Sequence, residues 1–65
     1  MAAAPRPTWI PVGAIKRFGE TGPEYQVLGS AEPQNGSERV RIVLLRTGEE
    51  TTYGRDAMLA DPEAA

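Results

Sequence analysis

The sequence predicts an all-β fold: a small antiparallel β-barrel or a curled four-stranded meander with one short helical turn near the C-terminus. Three apolar runs rich in β-forming residues follow one another between residues 24 and 53. Two turn signals separate the runs: the pair Asn35 and Gly36, and the Thr-Gly-Glu-Glu run at residues 47–50. Strands joined in this way pair with their neighbours in sequence, which gives an antiparallel meander.

Both ends of the chain are expected to be flexible. Residues 1–8 combine an alanine run with two prolines and show no periodicity, and residues 61–65 have a similar composition. Segments with so little apolar content bury too little surface to become ordered. The expected organisation is one small β-barrel domain over residues 9–60, between a flexible N-terminal arm and a flexible C-terminal tail.

Residues 13–18 fit two local structures. A first strand would place Ile15 against the core. A short helix would instead bring Val12, Ile15 and Phe18 onto one face. The strand is favoured because Gly13 weakens a helix of this length, but the helix stays open as an alternative.

The second strand shows the period of two expected of a half-buried strand. Over residues 24–29, Tyr25 and Val27 share one face and are predicted to point inward. Residues 30–38 follow, and they are long for a hairpin connection and contain turn-forming residues. They predict an exposed, mobile lobe suited to contacting a partner, with Gln34 and Asn35 near its tip.

The third strand, over residues 39–46, is apolar on both faces at its far end. Arg39 and Arg41 begin the outer face, which ends with Val43 and Leu45. This pattern fits a central strand whose outer face is partly covered by another segment or by a second subunit. The residues predicted to point into the core are Val40, Ile42 and Leu44.

A tight turn at residues 47–50 leads into a short strand at residues 51–53. Asp56 is placed to cap a single helical turn over residues 57–60. That turn is expected to close one end of the barrel with Met58 and Leu59. The hydroxyls of Tyr25 and Tyr53 are expected at the rim of the core.

This order of elements resembles the SH3-like family of small β-barrels over residues 11–60. The chain also resembles short uncharacterised bacterial proteins with a Lys/Arg-Arg-Phe-Gly-Glu run, here residues 16–20, followed by Gly22, Pro23 and Tyr25. The resemblance implies a binding protein, since SH3-like barrels serve as peptide-binding adaptors, nucleic-acid-binding modules and structural subunits. With one Trp, two Tyr and one Phe, the chain departs from the signalling type, so a proline-rich ligand is not expected.

Composition excludes several kinds of chemistry. The 65 residues contain no cysteine and no histidine, so disulfides are excluded, and the commonest general base and the thiol nucleophile are missing. The only adjacent carboxylates, Glu49 and Glu50, fall in a predicted turn, where a solvated hairpin tip is the expected role. We therefore expect no enzymatic activity, no metal site and no cofactor.

Size and charge favour an interaction with another protein. A domain this small buries little surface and often gains stability by association, so a homodimer or a larger partner is expected. The net charge of −2 lacks the cationic excess of a typical nucleic-acid-binding protein.

The longest apolar run, residues 42–45, is far too short to cross a bilayer. No targeting segment is recognisable, so a cytoplasmic location without membrane contact is expected.

The first functional hypothesis is a small non-enzymatic protein that binds a protein partner as a regulator, an inhibitor or an accessory subunit. Trp9 is the strongest candidate contact, since tryptophan and arginine are enriched at interface hot spots. Its side chain either folds back over Val43 and Leu45 or stays exposed as an anchor. The lobe at residues 30–38 and the face of Arg39 and Arg41 complete this predicted surface.

The second hypothesis is nucleic-acid binding through Arg39 and Arg41, which alternate onto one strand face. Arginine forks suit phosphates, and an exposed aromatic ring suits the stacking of bases. The residues expected to extend this face are the cations Lys16 and Arg17, with Trp9 or Phe18 as the stacking platform.

Two plainer interpretations remain. Arg39 and Arg41 would be the solvated face of the sheet, each paired across strands with Glu24 and contributing less than about 1 kcal/mol. Alternatively the chain is a structural homo-oligomer, with Val43 and Leu45 forming the interface between subunits.

Overall fold

The structure, a computed structural model, describes residues 9–64 and shows a curled antiparallel half-barrel with one short helix. The four strands lie in the order β1-β2-β3-β4, so neighbours in sequence are neighbours in the sheet. The predicted all-β class and curled meander are confirmed. The predicted N-terminal arm, residues 1–8, lies outside the described residues. The elements are β1 (Ile15–Arg17), β2 (Glu24–Gln34), β3 (Ser37–Leu44), β4 (Glu50–Gly54) and α1 (Arg55–Ala60).

β1 is a strand, which excludes the helical alternative for residues 13–18. The prediction that Ile15 faces the core is wrong, because the inward residue of β1 is Lys16, whose exposed fraction is 5%. Register explains the difference: Lys16 lies opposite Tyr25 on β2, and residues paired across antiparallel strands share a face. The ammonium of Lys16 donates a hydrogen bond of 2.6 Å to the carbonyl oxygen of Met58.

The core lies on the concave face of the sheet and is closed by α1. Leu44 packs against this core as predicted, together with Ile10, Phe18 and Tyr53. Alternation along β2 and β3 produces this arrangement, since every second side chain of a strand points to the same face. The fully buried side chains are Tyr25, Val27, Val40, Ile42 and Met58.

The predicted lobe at residues 30–38 is instead the end of a long hairpin. β2 and β3 continue until Gln34 lies opposite Ser37, and only Asn35 and Gly36 form the turn. Both have positive φ, 51° and 78°, the conformation of the type I′ turn that matches the twist of a hairpin. Two register shifts in the β2–β3 ladder, between Val27 and Gly29 and between Ala31 and Gln34, keep the residues predicted as a loop within the hairpin. The prediction of exposure holds for most of this hairpin end.

The N-cap of α1 is not the residue predicted from the sequence. Gly54 is the N-cap and no side chain caps the helix, so Asp56 lies in the first turn rather than before it. Met58 closes the core as predicted, whereas Leu59 points away from the core and is exposed. The tight turn before β4 is as predicted, with Gly48 at a φ of 77°.

Within the tail predicted at residues 61–65, Pro62 and Ala64 are hydrogen-bonded to β1. The amide of Arg17 donates to the carbonyl of Pro62 at 3.0 Å, and the amide of Ala64 donates to the carbonyl of Ile15 at 2.8 Å. This segment therefore covers the free edge of β1. At the opposite edge, no strand within residues 9–64 pairs with β4.

Candidate interaction surface

The segment of residues 9–12, here called the apolar segment, presents two large apolar side chains to solvent. Trp9 and Val12 are each 65% exposed, whereas Ile10 between them packs against the core. Of the two positions that the sequence left open for Trp9, the structure has the exposed one.

The backbone of the apolar segment is held in place although its side chains are exposed. The guanidinium of Arg55 donates two hydrogen bonds to the carbonyl oxygen of Trp9, from Nε at 3.3 Å and from Nη2 at 3.2 Å. The amide of Val12 donates to Ile10 at 2.8 Å, and the amide of Gly13 donates to Val27 of β2 at 2.8 Å. An aromatic side chain on an ordered backbone loses little entropy on binding.

A groove of about 340 Å³ lies beside the apolar segment, between the end of the β2–β3 hairpin and the start of α1. Its lining combines apolar or small residues with side chains of both charges. The side chains of Arg55 and Glu38 approach each other there, with Nε and Oε1 3.8 Å apart. The groove is lined by Ile10, Ser30, Ala31, Pro33, Glu38, Arg39 and Arg55.

Arg39 and Arg41 lie on the outer face of β3, as predicted. Arg39 donates from Nη2 to the hydroxyl of Thr52 at 3.1 Å, while its buried Nε has no hydrogen-bond partner among residues 9–64. Arg41 has a loose ion pair with Glu50, with Nη1 and Oε1 3.8 Å apart and both side chains more than half exposed. Arg41 is therefore exposed, whereas Arg39 is half-buried.

The expected pairing of the two arginines with Glu24 is wrong. Glu24 lies opposite Arg17, and Arg17 Nη2 and Glu24 Oε2 are 2.7 Å apart. Arg39 instead lies opposite Ala31, near the other end of β2. The strand register therefore separates Glu24 from both arginines of β3.

Two residues predicted to extend the arginine face are not available to it. Lys16 is buried beneath α1. The ring of Phe18 packs against two tyrosines, with centroid distances of 4.4 Å to Tyr25 and 5.0 Å to Tyr53, so it offers no free face for a base. Of the other predicted contacts, Gln34 and Asn35 are exposed at the hairpin tip.

The sequence did not reveal the role of Asp61. Its Oδ2 accepts hydrogen bonds from the hydroxyls of Tyr25 at 2.7 Å and Tyr53 at 3.0 Å, and its Oδ1 accepts one from the amide of Gly19 at 3.1 Å. The available signal was the pair of inward-facing tyrosines, because buried phenols need a hydrogen-bond acceptor.

Electrostatics make the Asp61 cluster a structural one. Burial and then the hydrogen bond to Asp61 raise the pKa of both Tyr25 and Tyr53, so the phenols stay protonated at neutral pH. Burial by itself would raise the pKa of Asp61, but the hydrogen bonds from Tyr25, Gly19 and Tyr53, with the nearby charge of Lys16, lower it overall. An ionised acceptor held by neutral donors stabilises the fold and offers no general base near neutral pH.

Two further observations concern the described part of the chain. Within residues 9–64, no group of three or more acidic, histidine or cysteine side chains is arranged to hold a metal ion. In the same range, no helix combines the length and apolar character needed to cross a membrane.

Comparison with protein families shows to which family the chain belongs. A family model described as "Family of unknown function (DUF5397)" matches residues 2–65, so the chain belongs to that family. The comparison with curated proteins finds no match.

Proposed function

We propose that this DUF5397 member is a small non-enzymatic binding protein that acts on a protein partner, as a regulator, an inhibitor or an accessory subunit. The observation that carries the proposal is the exposure of Trp9 and Val12 on a backbone held by Arg55. Exposed aromatic anchors next to arginines are typical of interface hot spots. The predicted resemblance to SH3-like barrels, a family of binding modules, favours the same function, and we expect it to take place in the cytoplasm.

The expected contribution of Trp9 is large enough to measure. A tryptophan side chain buries on the order of 200 Å² in an interface, and about two thirds of Trp9 is exposed in the free chain. At about 25 cal/mol per Å², covering that area contributes roughly 3 kcal/mol. We therefore expect Trp9→Ala to weaken binding by about a hundredfold.

The test is an affinity capture from lysate of the natural host with the tagged full chain, after nuclease treatment and at two salt concentrations. The baits are the wild type, Trp9→Ala and Leu45→Ala, and retained proteins are quantified by mass spectrometry. Leu45 is the matched control because it is also a large exposed apolar residue but lies outside the apolar segment. We expect one stoichiometric protein that is retained by the wild type and by Leu45→Ala and is lost with Trp9→Ala.

Circular dichroism and thermal unfolding of Trp9→Ala provide the second control. A largely exposed side chain contributes little to folding, so we expect the unfolding midpoint of this variant to match that of the wild type. Undiminished capture of the same proteins by Trp9→Ala would contradict the proposed role of the apolar segment.

A second candidate function is the binding of a phosphate-bearing polymer at Arg39 and Arg41. It is favoured by one observation, the exposure of Arg41 on the outer face of β3, where its ion pair with Glu50 is loose at 3.8 Å. With Lys16 and Phe18 excluded, only about two phosphate contacts remain, which predicts a salt slope near −1.5 and weak affinity. The charge reversals Arg39→Glu and Arg41→Glu, combined, should abolish binding to single-stranded nucleic acid. Wild-type protein that binds none at low salt would eliminate this candidate.

A further inference from the structure

The two edges of the sheet differ in whether another segment of the described chain pairs with them. Residues 62–64 cover the edge of β1, with Glu63 forming an antiparallel bridge to Lys16. The edge of β4 has no such cover within residues 9–64, and residues 50–52 are exposed. β4 also lacks the lysines, prolines and bulges that usually protect an open edge from pairing.

The ladder between β3 and β4 shows which backbone groups of β4 face outward. Leu44 donates from its amide to the carbonyl of Glu49 at 2.8 Å. Because hydrogen-bonded pairs alternate in antiparallel sheets, Thr51 and Tyr53 are the next residues bonded to β3. Glu50 and Thr52 therefore point both their amides and their carbonyls to the open edge. Gly54 offers its amide there, because its carbonyl, at the N-cap of α1, accepts the first hydrogen bond of the helix.

We propose that this edge binds a second copy of the chain. The two β4 strands would pair antiparallel about a two-fold axis at Thr52, joining both sheets into one continuous sheet. In this register Thr52 lies opposite Thr52 of the second copy, and Glu50 lies opposite Gly54 of the second copy. The amide and carbonyl of Thr52 are then hydrogen-bonded in both copies, as are the Gly54 amide and the Glu50 carbonyl opposite it. The contact is self-complementary, as a two-fold interface requires.

Charge complementarity argues for a second copy as the occupant. Within one chain, Gly54 lies opposite Arg39 on the outer face. A Cβ at Gly54 would lie 4.0 Å from Nη1 of Arg39 and 4.0 Å from Cβ of Ala57, so this backbone position lies next to the guanidinium. Glu50 of the second copy, placed opposite Gly54, would bring its carboxylate to this guanidinium, and the two-fold axis would repeat the pair.

Within residues 9–64, neither member of this pair has a close ion-pair partner. Arg39 donates from Nη2 to the neutral hydroxyl of Thr52 at 3.1 Å. The carboxylate of Glu50 reaches only Arg41, at 3.8 Å, and its side chain is 62% exposed. Charge pairs at such an edge set the register and the choice of partner, while the backbone hydrogen bonds hold the strands together. The interface is distinct from the one predicted at Val43 and Leu45.

The first test uses single cysteines in the full chain, which has no native cysteine. In the proposed register Thr52→Cys brings two Cα atoms to about 5.5 Å, within the range of a disulfide. Thr51→Cys is the matched control, since Thr51 lies diagonal to its own copy at about 7 to 8 Å, beyond that range. Under mild oxidation at micromolar concentration we expect a covalent dimer from Thr52→Cys and monomer from Thr51→Cys. Equal crosslinking of the two variants, or none of either, would overturn the proposal.

The second test is a charge exchange followed by analytical ultracentrifugation. Glu50→Lys places like charges together at both ends of the interface and should weaken dimerisation by about tenfold or more. Adding Arg39→Glu should restore the wild-type dimer, whereas adding Arg41→Glu should not. A wild-type protein that is monomeric at high micromolar concentration, or a dimer unaffected by Glu50→Lys, would overturn the proposal.

Discussion

Asp61 connects the end of α1 to both core tyrosines and to the loop after β1. Its Oδ2 accepts from Tyr25 and Tyr53, and its Oδ1 accepts from the amide of Gly19. Hydrogen bonds to a charged acceptor are stronger than those between neutral groups. The side chain of Asp61 therefore positions the following residues, 62–64, which run along the edge of β1.

This arrangement predicts an acid-sensitive fold. The pKa of Asp61 is lower in the folded chain than its ordinary value, so its stabilisation is complete above about pH 4 and is lost as the pH falls below that value. Asp61→Asn should lower the free energy of unfolding by about 2 kcal/mol at pH 7 and should flatten its decline in acid. Urea unfolding at a series of pH values from 7 to about 2 measures both effects.

Asp56→Asn is the control for this prediction, because Asp56 is fully exposed in the first turn of α1. We expect it to change stability by less than about 1 kcal/mol and to leave the acid decline in place. An Asp61→Asn variant with the same acid decline as the wild type would show that another group causes it.

The burial of some single residues could be predicted from the sequence, whereas that of others could not. Tyr25 and Val27 were predicted inward because period-two alternation depends only on the strand itself. The burial of Lys16 depends on its register opposite Tyr25, and the role of Asp61 depends on contacts across 36 residues of sequence to Tyr25. Local sequence patterns therefore could not predict the burial of Lys16 or the role of Asp61.

Among the elements, α1 closes the core through one side chain. Met58 is fully buried, and its carbonyl accepts the hydrogen bond from Lys16. Leu59, the next residue, is exposed. A helix of six residues has little intrinsic stability, so α1 depends on these contacts with the sheet.

Met58→Ala should therefore destabilise the protein far more than Leu59→Ala. We expect a loss of about 2 to 5 kcal/mol for the buried methionine and less than about 1 kcal/mol for the exposed leucine. In a domain this small, the first loss is large enough to unfold much of the population at 37 °C. Thermal and chemical unfolding of the two variants measure the difference, and similar losses for both would contradict the role assigned to Met58.

The strands were largely predictable, whereas the connections were not. β2, β3 and β4 follow alternating patterns that end at glycine turns, so their existence is evident from the residues. The hairpin end at residues 30–38 was predicted as a loop because its composition is polar and includes Pro33. Pairing with the opposite strand and two register shifts keep it in the sheet.

At the scale of the whole molecule, the chain protects one sheet edge and leaves surface for contacts elsewhere. Residues 62–64 cover β1, while β4 and the apolar segment remain open within residues 9–64. The apolar segment has an ordered backbone and exposed side chains, a combination that favours binding over folding as its role. The resemblance to SH3-like barrels, with the size and charge of the chain, predicted a binding function, which stays a prediction. The exposure of Trp9, which the sequence left open, required the structure.

The most direct test of the proposed binding function is the fluorescence of Trp9, which is the only tryptophan in the chain. The emission of the free protein should resemble that of an indole in water and should be strongly quenched by acrylamide. Titration with the purified protein retained in the capture experiment, using a tryptophan-free version of it, should shift the emission to the blue and reduce quenching in proportion to the fraction bound. Saturable binding that leaves the emission and the quenching of Trp9 unchanged would contradict the proposal that this side chain is the anchor.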